Sequence, residues 1–394
     1  MRQLQPLRAK CRFSFRVRVR IMKNPLLHLL VALTACALSA PVRADFAAGR
    51  AAAKTGDFFA AAKEYRAGAE VGEIRAQNSL GVLFERGQGV KQDYAQAANW
   101  YRKAADHGDA QAQTNLGYLF ETGNGVERDY AQALAFYKQA ADKNWAQAQN
   151  NLGGLFERGR GVNRDYKIAL DWYRKAADQG LAQGQTNMGY MTETGRGIPR
   201  DDAAAMAWYR KAADQGYAQA QNNIGALFER GRSVAQNSAS AVSWYRKAAA
   251  QSLAQAQTNL GYMFATGRGV QRNDIEAVKL YRAAALQDFA PGQNSYGFML
   301  ACARGVKRDY VEARKWYEKS ANQGFAQAMT NLAWLYEKAL GVAKDESQAV
   351  QLLQKSAEAG YRPAAQRLVT IYTKGQLGQA VDLARAKLWA DRAR

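Results

Sequence analysis

The chain has 394 residues, with 55 Lys and Arg against 34 Asp and Glu, a formal net charge of +21, two His and three Cys. Nine of the bases and none of the acids lie in residues 1–44, so the remainder holds 46 bases against 34 acids, an excess too moderate to support nucleic-acid binding. Beyond residue 44 there is one histidine, His107, and one cysteine, Cys302, which excludes two-histidine zinc sites and an internal disulfide in an exported chain that starts there.

The N-terminus reads as an export signal. Leu26 to Ala35 is apolar apart from His28 and Thr34, is preceded by Lys23, and is followed by small residues. Met22 reads as the natural start, with residues 1–21 an upstream extension. Cleavage after Val42-Arg43-Ala44 releases a protein expected in the bacterial periplasm. The alternative is an outer-membrane lipoprotein, since Leu33-Thr34-Ala35-Cys36 resembles a lipobox. A membrane is an expected partner only if Cys36 is lipidated. The apolar stretch itself is too short for a confident span.

Residues 45–72 read as a capping helical pair, with Asp57, Tyr65, Ala69 and Gly72 in register with Asp93, Tyr101, Ala105 and Gly108. From Glu73 through Gly360 the chain then repeats every 36 residues, eight times, with no insertion or deletion. Residues 361–394 read as a final capping pair with a shortened loop. A fixed period of this length marks a solenoid, in which each unit buries its apolar face only against its neighbours. The expected fold is therefore all-α, an α/α superhelical solenoid of ten helical pairs.

Numbering each repeat from Glu73 as position 1, helix A carries Ala112, Leu116 and Phe120 on one face, and helix B carries Tyr130, Ala133, Tyr137 and Ala140. Glycine at position 9 of helix A and alanine at position 25 of helix B allow close approach. A Gly-x-Gly-Val loop ends helix A, as at Gly123-Asn124-Gly125-Val126. An Asp or Asn N-cap at position 21 opens helix B, from Asp93 to Asp345. Partners three residues on (Gln96, Gln132, Glu312, Gln348) predict reciprocal capping boxes.

This pattern, with Trp100-Tyr101-Arg102-Lys103-Ala104-Ala105 and Trp172-Tyr173-Arg174-Lys175-Ala176-Ala177 as close fits, resembles the Sel-one-like repeat family, relatives of the tetratricopeptide repeats. The resemblance covers residues 73–360 and implies a scaffold, adaptor or regulator with protein partners, such as an envelope regulatory or secretion component. The cysteine-rich, β-lactamase-like branch of that family is not implied, because paired cysteines are missing.

A second period of 72 residues runs through the repeats. Position 6 alternates Asn and Thr without a break, from Asn78 and Thr114 to Asn294 and Thr330. Position 10 alternates small and aromatic residues up to the seventh repeat, and position 14 alternates Arg and Thr up to the sixth. Positions 3, 6, 10 and 13 share one face of helix A, and in the tetratricopeptide relatives that face lines the concave groove. The candidate partner-binding residues on it are Asn78, Tyr118, Gln147, Asn150, Tyr190, Gln219, Asn222, Tyr262, Asn294 and Trp334. Glu at position 13 lies on the same face. Amides, hydroxyls and spaced rings suit an extended polar ligand. The competing reading of the rings is large-small packing between helices.

No Ser-x-x-Lys, Gly-x-Ser-x-Gly or HExxH occurs, and the Gly-Arg-Gly loops lack the Gly-Lys-Ser/Thr of a phosphate loop. No catalytic residue, metal site or cofactor is expected. The leading reading is a non-catalytic exported scaffold holding a protein segment in its groove. A polysaccharide- or peptidoglycan-binding module is the alternative, and a hydrolase the third. Loop residues such as Arg160, Arg196 and Arg268 read as a solvated basic edge or a contact for an anionic partner.

Overall fold

The computed structural model describes residues 45–393. The export signal, Met22 and the lipobox cysteine Cys36 lie outside the described residues. Within them the chain is all-helical: twenty helices form ten consecutive hairpins, with no strand. The first hairpin is Phe46–Thr55 with Phe58–Glu70 and the last is Arg362–Lys374 with Leu383–Arg392. Between them each repeat supplies a helix A, from Ile74–Arg86 to Ala326–Lys338, and a helix B, from Tyr94–Asp106 to Glu346–Glu358. The chain groups into two compact units, one running to Ala104 and the other starting at Ala105.

Each hairpin is closed by one recurring contact. The position 29 tyrosine of helix B lays its ring against the position 9 glycine of helix A. An ideal β-carbon on Gly81 in the first unit would stand 2.6 Å from Tyr101. In the second unit the corresponding distances for Gly117, Gly153, Gly189, Gly225, Gly261 and Gly297 are 2.5–2.9 Å to the rings of Tyr137, Tyr173, Tyr209, Tyr245, Tyr281 and Tyr317. The N-terminal pair keeps this contact through Gly49 and Tyr65 at 2.6 Å, although its loop is different. The alanine at position 25 is fully buried in all eight repeats, which brings the backbones together beneath the ring.

The loop serves both helices. Gly159 ends its helix A in the left-handed region, and the Arg160 N–H donates to the Leu155 carbonyl. The second loop glycine also needs a positive φ, and an ideal β-carbon on Gly269 would come within 2.2 Å of the Ser238 carbonyl carbon in the preceding repeat. The loop thus rests on the start of the neighbouring helix B. The expected N-caps form: the side chains of Asp129, Asp165, Asp201, Asn237, Asn273, Asp309 and Asp345 accept from the first-turn amides, and Asp93 accepts from the Gln96 N–H.

The reciprocal half of the capping box does not form. The N-cap N–H donates instead to a carbonyl near the end of helix A: Asp93 to Phe84, Asp129 to Phe120, Asp309 to Leu300 and Asp345 to Tyr336. The tight loop folds the N-cap back onto helix A. One bond thereby satisfies an orphan donor and an orphan acceptor, leaving Gln96, Gln132, Glu312 and Gln348 no amide to cap.

The eighth repeat offers a natural control, with Ala333 in place of the glycine and Leu353 in place of the tyrosine. Gly189→Ala is therefore expected to destabilise the second unit by roughly 1–3 kcal/mol through overpacking against Tyr209. In the Tyr209→Leu background the same change costs markedly less. Urea denaturation of the four proteins of this cycle measures the coupling, and additive effects would contradict the contact's role.

Candidate functional site

Within the second unit, helices A of neighbouring repeats touch one another, as Ala254–Thr266 and Ala290–Ala301 do, so residues of the predicted face can meet across repeats. The residues predicted on this face separate into two groups. Tyr118, Tyr190, Tyr262 and Trp334 are exposed, with Phe298 among them, at 36–46% of their free surface. Asn78, Asn150, Asn222 and Asn294 are buried. Gln147 and Gln219 are half-buried.

The buried asparagines are engaged between repeats. Asn150 accepts from Asn187 of the next repeat at 2.8 Å, Asn222 from Asn259 at 2.9 Å and Asn294 from Asn331 at 2.8 Å. Gln147 and Asn150 are brought together as donors to Asn151, and Gln219 and Asn222 as donors to Asn223. Gln147 also donates to Gln183 at 3.1 Å, one repeat on. The threonines that alternate with these asparagines turn inward: Thr114, Thr186 and Thr258 donate to carbonyls four residues back.

Positions 10 and 14 exchange volume. The first, third and fifth repeats place a small residue at 10 and Arg at 14, and a β-carbon on Gly154 would meet the Arg158 guanidinium at 3.1 Å. In the second, fourth and sixth an aromatic occupies position 10, and a threonine at 14 donates to its carbonyl, as Thr122 does to Tyr118. The rings are therefore half of a packing exchange and still lie open on the surface.

Glutamate at position 13 is structural. Its carboxylate accepts from the buried tyrosine of its own hairpin: Tyr137 on Glu121 at 2.9 Å, Tyr173 on Glu157 at 2.7 Å, and Tyr209 on Glu193 and Tyr245 on Glu229 at 2.8 Å. An arginine of the next repeat closes the chain: the loop residues Arg160 on Glu121 and Arg196 on Glu157 at 3.0 Å and Arg268 on Glu229 at 3.4 Å, and Arg230, at the end of its helix A, on Glu193 at 3.3 Å. Burial pushes these phenols well up, and the adjacent carboxylates add to it, so they stay protonated donors. Much of the expected basic edge is therefore paired. The helix-B lysines are engaged as well: Lys175, Lys211 and Lys247 lie 3.9–4.2 Å over the rings of Trp172, Trp208 and Trp244.

Sequence reasoning passed over a second polar ladder. Glutamines at position 5 are buried, and Gln149 donates to the Ala141 carbonyl while accepting from Gln179 at 2.7 Å. Gln185, Gln221, Gln257 and Gln293 accept likewise from Gln215, Gln251, Gln287 and Gln323. The available signal was the recurrence of two glutamines, 30 residues apart, through consecutive repeats.

The pattern breaks in the sixth and seventh repeats, where position 13 is Ala265 and then Ala301. There the helix-A face opens into a cavity of about 330 Å³ that brings the predicted Tyr262 and Asn294 together with Phe298, Tyr281 and Arg304. Arg304 turns to Asp274, at 2.6 Å, and to the Ala265 carbonyl, also at 2.6 Å. Hydrogen bonds from Arg304 and Arg272 hold the Asp274 carboxyl down to about 2. Among the described residues no group of three or more His, Cys, Asp and Glu side chains is placed to hold a metal ion, and no helix is long and apolar enough to cross a membrane.

The two groups of residues separate experimentally. Glu157→Ala leaves the Tyr173 phenol and Arg196 without their acceptor and is expected to cost about 1–3 kcal/mol. Tyr118→Ala, on the open surface, is expected to stay within about 0.5 kcal/mol of the parent. Urea midpoints of both variants, read by circular dichroism, test this. A larger loss for Tyr118→Ala would make that ring a packing residue.

No curated protein matches the chain. Two solved structures illustrate the similarity. A protective antigen with an SLR fold, present in uropathogenic Escherichia coli strains, is 31% identical, with 92% of this chain and 86% of that one covered at a TM-score of 0.51. A Sel1 repeat protein from Oxalobacter formigenes is 32% identical over 62% of this chain and 96% of that one, with a TM-score of 0.57. Solenoids of this kind commonly act as protein-interaction scaffolds, generally without enzymatic activity. The Sel1 repeat profile matches eight consecutive segments, 74–109, 110–145, 146–181, 182–217, 218–253, 254–289, 290–325 and 326–361, and by that match the chain belongs to the Sel1 repeat family.

Proposed function

We propose that this protein is an exported, non-catalytic scaffold that binds an extended segment of a protein partner along its helix-A face. The observation that carries the reading is the row Tyr118, Tyr190 and Tyr262, continued by Phe298 and Trp334. These rings are 36–46% exposed beside polar amides that are already engaged in holding the repeats together. Rigid, half-exposed aromatics on a pre-formed surface lose little entropy on binding and supply most of the contact area. Recurrence of a ring every second repeat offers anchors to an extended chain and no single enclosed reaction site. The export motif in residues 1–44 supports action outside the cytoplasm, in the periplasm or on the outer membrane through Cys36. The description of the similar Escherichia coli protein as a protective antigen agrees with export.

Changing Tyr118, Tyr190 and Tyr262 together to Ala is expected to remove the partners captured from envelope extract by the parent protein, with the fold intact by circular dichroism. An unchanged set of partners counts against this face. Retention of the parent on purified sacculi, lost in the triple variant, would favour a glycan over a protein segment.

A further inference from the structure

Four repeats of the second unit show what a complete junction contains. The carboxylate of Glu121, Glu157, Glu193 or Glu229 accepts from a buried tyrosine on one side and from an arginine of the next repeat on the other, a loop arginine in all but Glu193. In the sixth repeat the glutamate is replaced by Ala265, yet both donors remain. Tyr281 is 5% exposed, lies against Gly261 as its counterparts do, and its hydroxyl has no acceptor among the described residues. Arg304 commits Nε and Nη2 to Asp274 and the Ala265 carbonyl. Its Nη1 is left over, and in Arg160, Arg196 and Arg268 that atom holds the glutamate. Asn294 accepts from Asn331, but its own amide N–H groups donate to no atom of the described residues.

These three donors line the cavity of about 330 Å³, whose rim carries the exposed rings of Tyr262 and Phe298. Asp274 is ionised at neutral pH and faces two guanidiniums, Arg304 and Arg272, so one positive charge stays uncancelled beside the opening. The next junction is a useful contrast. Ala301 also replaces the glutamate there, but Leu340 stands in the arginine position, so no charged donor is kept.

From this we infer that the cavity between the sixth and seventh repeats is a seat for a glutamate side chain supplied by the partner, which completes the Tyr281–Arg304 junction that Ala265 leaves open. The seat deepens the proposed scaffold reading and rests on it: the partner segment lies along the row of rings and inserts one carboxylate here. A buried phenol and a guanidinium are charge-assisted donors that match a carboxylate, whereas a neutral amide cannot engage the guanidinium as strongly. The specificity is thus for Glu over Gln at one position of an extended peptide.

The test uses the full chain and two fluorescein-labelled heptapeptide libraries, one with Glu fixed at the centre and one with Gln there. Retention of the Glu library is expected to exceed that of the Gln library at least fivefold. Ala265→Glu should abolish the difference and raise the melting temperature, because it restores the junction internally. Tyr281→Phe, which removes only an unpartnered hydroxyl, should reduce the preference several-fold without lowering the melting temperature. Equal retention of the two libraries overturns the seat, as does a preference that both variants leave unchanged. Tyr118→Ala with Tyr190→Ala, remote from the cavity, separates the two readings. Partners lost in that variant while the parent shows no preference for Glu leave the groove standing without the seat. A preference for Glu with partner capture unchanged in that variant leaves the seat without the groove.

Discussion

The contact on which the structure depends is a tyrosine ring lying on a glycine. With no β-carbon at position 9, helix B can bring its position 29 ring onto the backbone of helix A, and the fully buried alanine at position 25 permits the same approach from the other side. That placement puts the phenol oxygen where a position 13 carboxylate can accept from it and where the next loop can deliver an arginine. A local packing choice thereby becomes a link between neighbouring repeats. Such links are what a solenoid needs, because its stability is built from hairpins and nearest-neighbour interfaces. The eighth repeat replaces the glycine and the tyrosine together, by Ala333 and Leu353.

The junctions within the second unit are of two kinds. From an odd repeat to an even one, asparagine at position 6 accepts from the next helix A, as Asn187 donates to Asn150. From an even repeat to an odd one, an arginine at position 14 reaches back to the preceding glutamate, as Arg230 does to Glu193. Small residues at position 10 make room for that arginine, and aromatics fill the same place where threonine replaces it. The 72-residue period is therefore the period of the interface. Its outward consequence is a ring at every second repeat from Tyr118 to Tyr262, so the same residues that fit the junctions also set the spacing of the exposed rings.

Much of this was readable from the amino-acid pattern. The period, the two helices per repeat, the glycine loop and the Asp or Asn caps follow from local rules and hold as expected. What escaped was every interaction between residues one repeat apart. Asn150 read as a free amide because its partner, Asn187, is 37 residues away. Glu121 read as groove lining although Tyr137 and Arg160 bracket it. The capping boxes failed for a related reason: the N-cap N–H of Asp129 goes to Phe120, across the loop, before Gln132 can reach it. Helical periodicity tells which face a residue is on, but not whether its hydrogen-bonding capacity is already used there.

That distinction bears on where selectivity resides. A polar helix-A face looks uniformly receptive in sequence, yet most of its amides and carboxylates are closed within the junctions. What stays open is apolar and aromatic, which favours contact area over discrimination. Discrimination needs a polar group whose partner is missing, because leaving such a group unpaired on the wrong ligand is costly. In a complete junction the glutamate, tyrosine and arginine are spent on one another. The one junction that keeps its tyrosine and arginine while losing its glutamate offers such a group, and the loss that makes it an imperfect repeat also makes it able to choose between ligands.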